Sequence, residues 1–173
     1  MEISKAIAQD IDLLLPFAEM TFRVAYEDQN DPVAFNDYCS LAFAPDNFIR
    51  EMNAPASEFW LGKLNNELVA YLKLNFDTHA EGIEDGKTVQ IERIYIHPDT
   101  QGRGLGRILL DFAEDSARQH HADWIWLSVW KKNPRGIKFY EDNGYEICGL
   151  EMFPLGDDPQ EDWVMRKAIR LIN

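Results

Sequence analysis

The chain has 173 residues, with 17 Lys and Arg against 30 Asp and Glu, for a formal net charge of -13. At 46% hydrophobic and 12% aromatic it is globular in composition, and a single domain over residues 1–173, burying roughly 70% of its unfolded surface, is the expectation. The acidity argues against nucleic acid and against an anionic membrane surface as partners, because both need a basic face, and leaves a cationic substrate open. Cys39 and Cys148 lie far apart with no CxxC pair, which argues against a disulfide scaffold and against a structural zinc site. Met1 to Asp10 carries two acids and no apolar core, so it does not read as a signal peptide,. No apolar run reaches the length of a spanning helix, and the cytoplasm is the expected compartment.

Along the chain, Ile3 to Ala8 reads as a short first strand. From Asp10 the apolar positions Leu13, Leu14, Phe17, Met20 and Val24 recur at helical spacing,. Val33 to Ala42 and Asp46 to Met52 read as shorter helices, punctuated by Pro32 and Pro45. Glu58–Leu64 and Leu68–Asp77 then alternate, with Asn65-Asn66 as a tight hairpin turn. Ala80 to Gly86 is loop-like, and Val89 to Ile96 is a strand rich in β-branched residues that Pro98 ends. Gly104 to His120 is the clearest helix, with Leu105, Ile108, Leu109, Phe112 and Ser116 on one face. Trp124 to Val129 reads as a buried strand, Pro134 to Asn143 as a helix with Gly144 after it, and Tyr145–Met152 and Trp163–Ala168 as closing strands. This order predicts an α/β fold with a mixed sheet.

The most informative stretch runs from Ile91 to Arg107. Gly102, Gly104 and Gly106 alternate between a strand and the start of an amphipathic helix. Glycine lets backbone approach a ligand closely, and free amides at a helix N-terminus favour an anion. Arg103 and Arg107 add full charges, so in so acidic a chain this loop points to a phosphate-bearing ligand. The spacing GxGxG fails the dinucleotide fingerprint, and Arg107-Ile108 fails the lysine-Ser/Thr ending of a P-loop. A glycine-rich turn without a ligand remains the alternative for the glycines alone.

The stretch resembles the signature of the Gcn5-related N-acetyltransferase (GNAT) superfamily, Gln/Arg-x-x-Gly-x-Gly/Ala, with Gln101, Gly104 and Gly106 at its fixed positions. A second block is similar to the superfamily's other cofactor-side motif: Trp126 to Trp130, then Asn133, Ile137, Phe139, Tyr140, Gly144 and Tyr145, the last in place of the usual Phe. The resemblance implies a mainly antiparallel central sheet flanked by helices, acetyl-CoA as co-substrate, no metal, and direct transfer to an amine in a ternary complex. Ile91–Ile96, Ile125–Trp130 with Lys132-Asn133, and Gly156-Asp157 with Gln160 and Asp162 further resemble a bacterial spermine/spermidine acetyltransferase group, as does Ala25 to Asn30. Where that group's segment carries a histidine, this chain has Glu151 or Met152, which implies a different amine preference.

The resemblance also assigns roles. The backbone of Ile94, Tyr95 and Ile96 would hold the pantetheine arm as an added strand. Amides from Gln101 through Gly102, Arg103, Gly104, Leu105 and Gly106 to Arg107 would take the pyrophosphate. Among the cations Lys131, Lys132, Arg135 and Lys138, the expectation for CoA phosphates falls on Arg135 and Lys138; a solvated helix face is the alternative. Asn133 either meets the pantetheine or caps the helix that Pro134 opens.

An alkylammonium with a pKa of about 10.4 is deprotonated in only about one molecule in two thousand at pH 7. A nearby carboxylate therefore helps the attack, and Glu92 is expected in that role, with a salt bridge to Arg93 or a neighbouring strand as the alternative. Tyr140 is expected to protonate the departing thiolate, with a core tyrosine beside Phe139 as the alternative. Glu27, Asp28 and Asp157 are expected to attract the amine. His120-His121 reads as a helix end at the surface, not a metal site. The favoured acceptor is a polyamine or similar small amine, against which stand a peptide N-terminus or lysine and a non-catalytic CoA-binding protein of the same fold. A homodimer through the final strands is the expectation for assembly.

Overall fold

The structure is a computed structural model that describes residues 1–155 and 159–169. Its strands are β1 (Glu2–Lys5), β2 (Ser57–Leu64), β3 (Glu67–Phe76), β4 (Thr88–Ile96), β5 (Trp124–Trp130), β6 (Glu146–Phe153) and β7 (Gln160–Ala168). The helices are α1 (Ile11–Tyr26), α2 (Pro32–Ala42), α3 (Pro45–Met52), α4 (Leu105–Gln119) and α5 (Pro134–Asp142). The elements expected from the sequence are present, with two informative shifts. Ala6–Ala8 fall outside β1, and the Asp10 carboxylate turns back to accept from the Ile7 amide at 2.9 Å. The last strand begins at Gln160 rather than Trp163, since Gln160, Glu161 and Asp162 pair with Phe153, Met152 and Glu151.

Local chemistry explains the ends. Asn65 and Asn66, at φ 51° and 67°, form the left-handed pair that a two-residue hairpin turn requires,. Asp31 caps α2 by accepting from the Val33 and Ala34 amides, and Pro32 takes the first helical position, where its missing N–H costs nothing,.

The seven strands lie in the order β1-β2-β3-β4-β5-β7-β6. Every neighbouring pair is antiparallel except β4 and β5, which run parallel. The period of two along each strand serves two cores at once. On one face α4 packs Leu105, Leu109, Leu110, Ala113 and Ala117 against Leu72, Leu74, Val89, Ile125 and Met165. On the other, α1, α2 and α3 pack Leu14, Phe17, Phe35 and Phe48 against Phe59, Leu61 and Tyr71. Among the described residues no helix is long and apolar enough to cross a membrane.

Candidate active site

The parallel pair is incomplete. β4 and β5 match only at Thr88–Trp124, Val89–Ile125 and Gln90–Trp126. β4 stays bonded to β3 along its length and β5 to β7, so each half of the sheet is satisfied on its outer side. A bulge assists the divergence: the register slips where Lys73 pairs with Arg93 and Leu74 with Ile91, leaving Glu92 as the extra residue,. The result is a cleft of about 800 Å³ lined by Ile91–Ile96 from one strand and Leu127–Trp130 from the other. The inner edges of both strands offer backbone donors and acceptors to whatever fills it.

The glycine loop closes one end of this cleft. Gly102 and Gly104 have φ of 79° and 78°, which L side chains rarely adopt, whereas a Cβ at either would meet nothing within 4 Å. The need for glycine is therefore one of backbone conformation, not of space. Gly104 is the N-cap of α4 and carries no side-chain cap, which leaves the first amides of the helix free,. Gln101, Gly102, Gly104, Leu105, Gly106 and Arg107 all line the cleft, as do Lys132, Asn133 and Arg135. Gln101 Oε1 accepts from Arg135 at 3.3 Å, joining the loop to α5. Asn133 Oδ1 accepts from the Gly136 amide at 2.9 Å, so it caps α5 while standing at the cleft wall.

Tyr140 lies on α5, buried, and lines the cleft. Burial, and then the neighbouring Tyr26, push its phenol well above the ordinary value, so it stays protonated,. Tyr26 is likewise raised, first by burial, while a hydrogen bond with Tyr95 works the other way. Three phenols thus converge where the strands part.

On the α1–α2 side of the sheet a second cavity, of about 330 Å³, adjoins this point. Tyr26, Ile91, Glu92, Tyr95, Ser128 and Trp130 line both spaces. Its walls are aromatic and acidic: Phe22, Phe35 and Phe153 stand with Glu92, Glu151 and Asp162. The three carboxylates differ. Glu92 is gripped by Lys73 at 2.7 Å, by Arg93 at 3.5 Å and by the Asn75 amide. Burial works to raise its pKa, but the two cations and the Asn75 bond outweigh it and hold the carboxyl below the usual range. Glu151 accepts from Ser128 Oγ at 2.7 Å. Asp162 has no side-chain hydrogen bond or ion pair among the described residues, and burial, then the Glu151 charge, push it up to about 6.

Not every residue expected from the sequence reaches these spaces. Glu27 is spent on Arg23, at 2.9 Å, and with Asp28 it sits exposed on a single turn after α1; neither lines a cavity. Lys138 points along α5 to Asp142 at 2.9 Å, and Arg103 stands exposed off the cleft wall. Asp157 lies outside the described residues. Conversely, Glu151 and Asp162 gain a place that their spacing in sequence does not announce. They face each other across β6 and β7, with Trp130 opposite Asp162 on β5.

A model of the acetyltransferase (GNAT) family matches residues 15–145. An uncharacterized N-acetyltransferase from the pepI 3′ region of Lactobacillus delbrueckii subsp. lactis is 30% identical over 169 residues, 98% of each chain. The PaiA N-acetyltransferase of Thermoplasma acidophilum, solved with coenzyme A, superposes with TM-score 0.76 at 19% identity over 96% of this chain and 98% of its own. A ribosomal-protein-alanine N-acetyltransferase from Brucella melitensis does so with TM-score 0.67 at 18% identity, covering 97% and 99%. With the glycine loop, the parted strands and the family match in agreement, the chain belongs to the acetyltransferase (GNAT) family and is an N-acetyltransferase.

Proposed function

We propose that the protein transfers the acetyl group of acetyl-CoA to the primary amine of a small cationic acceptor, a polyamine or related amine. The observation that carries this reading is the meeting of two unlike spaces: a long cleft ending in free helix amides, and an acid-lined cavity, both bordered by Tyr26, Glu92 and Trp130. The first suits a phosphate-bearing ligand with an extended arm, and the second a cation. The backbone of Ile94, Tyr95 and Ile96 holds the arm as an added strand. Amides from Gln101 to Arg107 take the pyrophosphate, and Arg135 and Lys132 supply charge beside them. Asn133 keeps α5 in place and with it Tyr140. Acetyl-CoA supplies an activated acyl group when bound.

Tyr140 serves the sulfur side of the reaction. Its raised pKa keeps the phenol protonated, so it is present as a donor at any ordinary pH,. The same shift weakens it as a free acid, so its hydrogen bond matters most while charge develops on the departing sulfur. Glu92, already neutralised by Lys73 and Arg93, attracts the amine less than an unpaired acid and is a weak base. Purified protein with acetyl-CoA is assayed for CoA release against spermidine, spermine, diamines and lysine peptides. Release with the small amines is expected; release with peptides alone, or none, overturns the acceptor assignment.

A further inference from the structure

The acid-lined cavity holds one carboxylate whose surroundings leave it with unmet chemistry. Asp162 sits in the middle of three strands, opposite Trp130 on β5 and Glu151 on β6, at a pairing distance of about 5 Å between neighbouring Cα atoms,. Residues directly opposite in adjoining strands present their side chains to the same face. Trp130, Asp162 and Glu151 therefore form a row across that face, beginning at the residue that borders the cleft and ending inside the cavity.

Other acceptors in this space point the same way. On the opposite wall Asn30 Oδ1 is buried without a hydrogen-bond partner among the described residues. The amide nitrogen of that side chain is committed to the Tyr26 carbonyl at 2.7 Å. Asp162 and the Asn30 amide oxygen lack donors among the described residues, Glu151 has only Ser128 Oγ, and aromatic rings make up much of the wall around them. An ammonium brings three, and the rings of Trp130, Tyr26 and Phe22 add the attraction of a π face for a cation. The stem carrying that ammonium has Phe35, Phe153 and Leu155 to lie against. The volume of about 330 Å³ is at the small end of ligand sites, which fits a compact alkyl or arylalkyl amine,.

Resting on the transferase reading above, we propose that Asp162 is the group that receives the acceptor's ammonium and takes its proton, with Glu151 as its partner. Glu92 is a positioning residue, fixed by its cations at the bulge. The titratable groups around Asp162 are Glu151 from β6, Tyr26 from α1, and Glu92 and Tyr95 from β4; Lys132, a cation recorded against this row, lies 5.5 Å from the Trp130 ring. Burial first, and among the charged groups Glu151, shift Asp162 in the direction of a stronger base. The proton balance closes. The ammonium gives its first proton to Asp162; the nitrogen–carbon bond forms as the carbon–sulfur bond breaks. The second nitrogen proton reaches the sulfur by way of the Tyr140 hydroxyl, and Asp162 returns its own to water.

The test compares wild type, Asp162→Asn and Glu151→Gln in two readouts. In turnover with the best amine of the panel, Asp162→Asn lowers kcat at least about 100-fold with the KM for acetyl-CoA unchanged, the size expected of lost base catalysis. The acidic limb of the wild-type pH profile disappears with it, and Glu151→Gln moves that limb to lower pH. A limb that survives in Asp162→Asn overturns the proposal. The second readout needs no turnover: spermidine, 1,4-diaminobutane and phenethylamine are tested for raising the Tm of the acetyl-CoA-free protein. A rise in wild type that is lost in Asp162→Asn supports the proposal even where no amine releases CoA, in which case it is the transferase reading that fails. Equal rises in both proteins, or none in wild type, overturn it.

Discussion

At the scale of single residues, one phenol and two acids are set apart by their environments. Tyr140→Phe deletes one oxygen from a buried ring and is expected to lower kcat by about 100-fold while acetyl-CoA affinity, measured by calorimetry, stays within about twofold. Unchanged turnover would remove Tyr140 from the reaction. The acids have opposite linkage to folding. Glu92, held low by its cations, contributes stability that is present above the ordinary glutamate pKa and is lost as the pH falls through its folded value,. Asp162, raised to about 6, does the reverse. Its contribution is complete below the ordinary aspartate pKa of about 3.9 and is lost as the pH rises through 6. Asp162→Asn should therefore raise Tm at pH 8 and leave it unchanged near pH 3.5, read by thermal melts across that range. The place of Tyr140 at the cleft wall was legible in the sequence because it stands in a motif. Asp162 entered only through a segment-level likeness, because its proposed role depends on what strand pairing sets beside it.

At the scale of elements, the glycine loop and the bulge do most of the positioning. Gly104→Ala forces an L residue to φ 78° at the N-cap of α4. The expected cost is about 1 kcal/mol of stability, with acetyl-CoA affinity reduced severalfold as the helix amides turn. Denaturant melts and calorimetry measure the two effects separately. At the bulge, Lys73 is 4% exposed and bridges Glu51 at 2.8 Å and Glu92 at 2.7 Å, with Phe59 beneath it. Lys73→Ala leaves two half-buried carboxylates to share Arg93, at 3.0 Å from Glu51 and 3.5 Å from Glu92, and should cost about 1.5–3 kcal/mol in urea unfolding,. The element order was readable in the chain because helical and strand periods alternate cleanly and prolines and glycines mark the joints. What one sequence does not carry is the order of strands in space. β7 inserts between β5 and β6, and that insertion sets Asp162 beside Trp130 on one side and Glu151 on the other. Glu27 and Asp28 instead lie on the exposed turn that follows α1, where Glu27 pairs with Arg23.

At the scale of the molecule, the charge of -13 is unevenly spread. Arg107, Lys132 and Arg135 border the cleft, while Glu92, Glu151 and Asp162 border the cavity beside it. On the function proposed above, each substrate would be met by a field of opposite sign. Raising ionic strength from 0.05 to about 0.5 M should increase KM for both acetyl-CoA and a cationic acceptor, since exposed charges are screened beyond a few ångströms. Steady-state kinetics with each substrate varied in turn measures this, and a salt-indifferent KM for the amine would argue for a neutral acceptor.

The three rungs that join β4 to β5 have a mechanical consequence. Beyond them the two halves of the sheet are tied through helices and side chains, and no backbone ladder crosses the gap. A molecule that lies along Ile94–Ile96 completes the ladder, acting as a strut as well as a reactant. Amide exchange at the cleft-facing residues of β4 and β5 should therefore slow on ligand binding far more than exchange in β2 and β3. Product release then becomes the moment at which the sheet loosens.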